Sequence, residues 1–167
     1  KHFYSLYIMF ISMNPEIVER YKKAQEKFNL PHLTQLRDTF KFDIEDENEI
    51  FDHIRLEISE RLFSFTERIL EPIVAGADSF ASMVEQNMVT KEEREKLFTI
   101  YKKIQVLKWE NNLLIVRPNE KQTLDWIRKT WDFWNSDLGT ELGKMCKKLS
   151  TNWETLEFKT RKAYYQG

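Results

Sequence analysis

Cysteine is nearly absent. Cys146 stands alone, which excludes an internal disulfide and any multi-cysteine metal site. A single thiol suits a reducing compartment, so a cytoplasmic location is expected. Cys146 follows Met145 beside an apolar helix face and is expected to be buried and inert. Glycine and proline are scarce, with four of each in 167 residues. So few turn-formers, with abundant Glu, Lys, Leu and Ile, point to long helices. Charge of one sign is lacking too: the net is −1, so nothing global draws the chain to nucleic acid or anionic lipid. No apolar run approaches the ~20 residues of a membrane span. No glycine-rich phosphate loop, nucleophile elbow or zinc spacing is present, and no cofactor is expected.

What the chain does have is tryptophan, four of its five residues lying between Asn119 and Phe158. Leu124, Ile127, Trp131, Trp134, Leu138, Leu142, Met145, Leu149 and Trp153 follow gaps of three or four and fall on one face of a helix. Charged residues fill the other face. Pro118 blocks continuation from the preceding segment, and Asn119 with Gln122 makes a capping box. One long helix is therefore expected here, with the other elements packed against it. Gly139 and Gly143 each cost about 1 kcal/mol inside a helix. They lie four apart, so they mark either a bend or a smooth patch where another helix comes close.

Upstream, Asn14-Pro15 starts a helix with apolar Ile17, Val18, Tyr21, Ala24 and Phe28, stopped at Asn29. A short helix with Leu33, Leu36 and Phe40 follows. An acidic opening leads into a helix from about residue 46 to 71, built on Phe51, Ile54, Ile58, Leu62, Phe65 and Ile69 and ended by Pro72. Asp78 or Ser79 begins a short helix with Phe80, Met83, Val84 and Met88. Thr90 with Glu93 forms a capping box for the next helix, whose apolar line is Leu97, Ile100, Ile104, Leu107, Asn111 and Leu114, with Phe98, Tyr101 and Trp109 beside it. Asn111 on that face is placed to fix register or to find a hydrogen-bond partner. Leu113 to Val116 has the composition to fray into extended chain. Residues 1–12, rich in Phe, Tyr and Ile, read as an apolar leader or added extension before Met13. Residues 13–167 then form a single domain, an all-α, up-and-down bundle of four to six helices with a long Trp-rich C-terminal helix. The helices at 90–117 and 119–158 pair antiparallel, because the link at Pro118 is short.

Three functional readings compete. The first is a non-catalytic helical protein that self-associates or binds a helical partner, with Trp126, off the main line, as an exposed anchor and Gly139 and Gly143 as the patch. The second is nucleic-acid binding. Residues 1–100 hold 13 Lys and Arg against 19 Asp and Glu, but residues 101–167 hold 13 against 8. Arg128, Lys129, Lys144, Lys147 and Lys148 would form the basic strip, extended by Lys159, Arg161 and Lys162. The third is a metal-dependent nucleotide hydrolase using Glu49, His53, Glu57 and Glu60, which share one helix face. Glu57-x-x-Glu60 with Glu49-x-x-Asp52 loosely resembles the magnesium-binding carboxylate pairs of all-helical nucleotide pyrophosphatases. Those pairs converge from facing helices, whereas both of these lie on one.

Overall fold

The computed structural model describes residues 14–44, 49–76 and 79–157, and these form an all-α bundle with no strand among them. The apolar leader, the acidic residues 45–47, Asp78 and the basic residues 159, 161 and 162 lie outside the described residues. The helices are α1 (Pro15–Phe28), α2 (Leu33–Phe40), α3 (Ile50–Val74), α4 (Phe80–Met88), α5 (Lys91–Val116), α6 (Glu120–Phe133) and α7 (Gly139–Glu154). One π turn, Trp134–Leu138, joins α6 to α7. Rods α6 and α7 thus continue one another, and the described residues make six rods.

Local chemistry sets the boundaries. Asn14 Oδ1 accepts from the Glu16 N–H at 3.0 Å, with Pro15 just inside the start of α1. Asn29 ends α1 in the left-handed region at φ 52°. Thr90 and Glu93 exchange both bonds of the capping box, at 3.2 and 2.8 Å. Asn119 accepts from the Gln122 N–H at 3.0 Å to open α6. Two boundaries differ from the sequence expectation. Helix α3 runs through Pro72 to Val74, because a proline removes only its own N–H and the last turn still closes with Ala75 N–H on Glu71 O at 2.9 Å. Leu113 to Val116 stays helical, and the Arg117 N–H bonds Leu113 O at 2.8 Å.

The organising rod is α3 rather than the tryptophan helix. It packs against α5 and α6 along most of its length and against α2 and α4 at its flanks. Ile54, Ile58, Leu62, Leu70 and Ile73 of α3 are fully buried with Ile104 of α5 and Leu124 and Ile127 of α6. Each such side chain contributes about 1.5–3 kcal/mol by leaving water. Tyr21 of α1 is buried among them, and its hydroxyl donates to Pro31 O at 2.8 Å. Burial pushes the Tyr21 hydroxyl far above its ordinary pKa of 10.0.

Helices α3 and α5 are antiparallel: Arg55 meets Asn111, Glu67 meets Lys108, and Glu71 meets Tyr101. Helix α5 is likewise antiparallel to α6 and α7. A ladder of ion pairs descends that seam: Glu110–Lys129 at 2.6 Å, Lys103–Asp137 at 3.0 Å, Lys96–Glu141 at 2.9 Å and Glu93–Lys148 at 2.5 Å. Lys148 and the Thr90 N–H hold the Glu93 carboxyl below its ordinary range, and Lys144 and Lys96 do the same for Glu141. One buried polar cluster crosses three rods. Arg55 donates to Asn111 Oδ1 and to Asp52 Oδ1 at 3.1–3.2 Å, and Thr123 Oγ1 meets the same carboxylate at 3.4 Å. Asn111 therefore does find a partner on the core face, and it ties α5 to α3 in register.

Candidate interaction surface

The residues singled out in the sequence are not gathered into one place. Glu49 stands at the N-terminus of α3, and His53 Nε2 lies 2.9 Å from the Asp43 carbonyl. Glu57 faces Arg61 at 3.9 Å, while Glu60 is exposed. Among the described residues no three His, Cys, Asp or Glu side chains converge as metal ligands.

The basic strip is also divided. Arg128 pairs with Asp125 at 2.6 Å and Asp132 at 3.6 Å; Lys129 pairs with Glu110, Lys144 with Glu141 at 2.8 Å, and Lys148 with Glu93. Lys147 is exposed with no ion-pair partner among the described residues. The side chains that would neutralise phosphates are largely occupied with holding α5 to α6 and α7.

Trp126 is not an exposed anchor. It is 2% exposed, its indole N–H donates to Leu107 O at 2.9 Å, and its ring meets Phe63 edge-on at 6.4 Å. A helix wedged between α3 and α5 has a wider apolar face than one stripe, and residue 126 lies on the widened edge. The glycines differ from one another. At Gly139 the Trp134 indole and carbonyl fill the space where a Cβ would sit, at 3.4 and 3.0 Å. The molecule's own tryptophan covers that surface. Gly143 has open space around it. Trp131 and Trp134 are half-buried against Phe40, whereas Trp153 is exposed and donates to Glu85 Oε1 at 3.0 Å. Cys146 is exposed rather than buried, because it lies on the solvent side of α7, one residue past the inward-facing Met145.

The surface that stands out is the outer face of α5. The inner face of α5 is the buried line from Leu97 to Leu114. Val106, Trp109, Leu113 and Val116 form a second apolar line at gaps of 3, 4 and 3 on the opposite face. All four are exposed, Trp109 at 70% and Val116 at 76%. At 100° per residue their mean direction lies roughly 160° from the inner line. This is why α5 is weakly amphipathic overall although both faces are ordered. Trp109, which its position in the sequence sets beside the inner line, stands on the outer face.

A groove of about 520 Å³ lies beside this line, between α5 and α6, with Phe28 of α1 also in its lining. Its α5 wall is Glu110, Leu113 and Leu114, and Trp126 forms part of its α6 wall. Leu113 thus belongs to both the exposed line and the groove. No helix among the described residues is long and apolar enough to cross a membrane. No protein-family model matches the chain, and comparisons with curated proteins and with solved structures give no significant match.

Proposed function

We propose that this protein works by binding another helix along the outer face of α5, as a helical interaction module. The observation that carries the reading is the exposed line Val106, Trp109, Leu113 and Val116. A lone exposed apolar residue is ordinary, but four at helical spacing, one of them tryptophan, form a contiguous patch. Their spacing matches the anchors with which helix partners interlock. Tryptophan beside a groove is the side chain most often found at the energetic centre of an interface. The groove supplies the recess, lined by apolar Leu113, Leu114 and Trp126 together with the ion-paired Glu110, Asp125 and Lys129.

Replacing Trp109 with a photo-reactive benzophenone side chain tests this in cells that express the protein. Position 147 on α7, exposed and away from the line, serves as the control. Discrete protein adducts at 109 and not at 147 are expected. Equal labelling at both positions, or none at 109, would remove the reading. A salt-dependent mobility shift lost on substituting Lys147 would instead favour nucleic acid.

A further inference from the structure

We infer that the cavity between α2, α3 and the π turn binds a small aromatic phosphate monoester, of the size of a nucleoside monophosphate. Its flat ring lies against Trp134 and Phe65, and Arg61 and Arg68 hold its phosphate. The cavity shares no lining residue with the exposed line of α5 or with the groove beside it. The inference therefore does not rest on the helix-binding reading.

The cationic wall comes from one face of α3. Arg61, Ser64, Phe65 and Arg68 follow gaps of 3, 1 and 3 and line the cavity together. Two turns, about 10 Å along the axis, separate the arginines, so both long side chains can reach a group lying between them over Ser64. The Arg68 guanidinium lies over the Phe65 ring, 5.8 Å from its centroid. Stacking uses the face of the guanidinium and leaves its edge, where the N–H donors lie, open to an anion. Arg68 has no ion-pair partner among the described residues. Arg61 has Glu57 at 3.9 Å, too far for a hydrogen bond and weak as an exposed pair. No carboxylate lines the cavity. Two guanidiniums match the charge of a phosphate monoester, about −1.5 to −2 at neutral pH, and guanidinium bonds to phosphate are of the strong, charge-assisted kind.

The aromatic wall comes from elsewhere in the chain. Trp134 opens the π turn, and Phe40 at the end of α2 packs on it with ring centroids 5.5 Å apart. Gly139 leaves room for the indole: a Cβ there would meet its ring at 3.4 Å. Trp134 and Phe65 are half-buried, and the Trp134 indole N–H has no acceptor among the described residues. A π turn inside a helix is rare and is often found at functional sites. Thr39 adds a hydroxyl beside these rings. The volume, about 370 Å³, falls in the range of small-molecule sites and suits one ring system with its phosphate. Stacking accepts any base, because every base has a π face. A ring alone would leave the arginines unused, and a bare anion would leave the aromatic wall unused.

Fluorine NMR of the full chain labelled with 5-fluorotryptophan tests this at low salt. The signals missing from Trp134→Phe and from Trp109→Phe assign those two residues. Titration with AMP or UMP should shift the Trp134 signal saturably, with a Kd below about 1 mM, and leave the Trp109 signal in place. Adenosine and inorganic phosphate should each bind at least about tenfold more weakly. Arg61→Gln and Arg68→Gln, both at exposed positions, should keep the far-UV circular dichroism and weaken AMP or UMP by about tenfold each. No shift with either nucleotide up to about 10 mM would overturn the inference. So would adenosine or inorganic phosphate binding as tightly as the nucleotides, or an affinity unchanged in either arginine variant.

Discussion

Substituting Asn111 tests how α5 is held to α3. Its side chain accepts from Arg55, a guanidinium only 3% exposed whose other partners are the Asp52 carboxylate and, at 3.5 Å, the Asn111 backbone carbonyl. In Asn111→Leu the Arg55 Nη1 donor loses its side-chain acceptor and keeps only the longer bond to the residue 111 carbonyl. Stranding a buried charged donor costs about 2–4 kcal/mol, reduced toward the lower figure because the Asp52 carboxylate and the residue 111 carbonyl remain. In Arg55→Met the charge is gone, but Asn111 Oδ1 is left buried without a donor, at about 1–2 kcal/mol. The double variant replaces the whole bond with apolar groups and should lie within about 1 kcal/mol of wild type. The coupling between the two sites is then at least about 2 kcal/mol. Urea unfolding followed by circular dichroism measures all four proteins, provided that the slopes agree. Additive single effects, or an Asn111→Leu cost below about 0.5 kcal/mol, would show that the bond does not set the α3–α5 contact.

The two helix glycines should respond with opposite signs. Gly143→Ala meets open space and should stabilise by about 0.5–1 kcal/mol, whereas Gly139→Ala presses on the Trp134 carbonyl and should destabilise, both read by thermal unfolding. Thr130 is fully buried and its hydroxyl has no partner among the described residues, so Thr130→Val should be neutral or stabilising by up to about 1 kcal/mol in urea. Tyr21 is held neutral by burial, so its contribution is complete below pH 10.0 and is lost as pH rises above it, where the unfolded chain ionises first. Tyr21→Phe should cost about 1 kcal/mol at neutral pH through the lost Pro31 bond. That deficit should shrink in denaturant titrations carried out above pH 10.0.

Much of the bundle could be read from the chain because its signals are local. Asn14-Pro15, Thr90 with Glu93, and Asn119 each satisfy the open N–H groups at a helix start, and the structure makes those bonds. The antiparallel pairing of α5 with α6 followed from a link too short to do otherwise. The centrality of α3 had no such local sign, since which rod is surrounded depends on how all the rods meet. Trp126 is buried although it lies off the main stripe for a related reason: two neighbouring rods cover a broader face than one. The π turn at Trp134–Leu138 left a faint trace, two successive gaps of four around Leu138 that a wider turn absorbs. The outer line of α5 was visible as spacing. Its exposure was not, because two apolar faces on one helix do not say which is the inner one.

Whether the outer face of α5 is a binding surface or an inert strip is decided most directly by a double substitution, Trp109→Lys with Leu113→Lys. The four exposed residues make no part of the core, so the unfolding free energy should stay within about 0.5 kcal/mol of wild type. A photo-reactive group placed at Val116 in that background should lose the protein adduct that it forms in the otherwise unaltered chain. A retained adduct, or a protein that unfolds when the two lysines are introduced, would contradict the account.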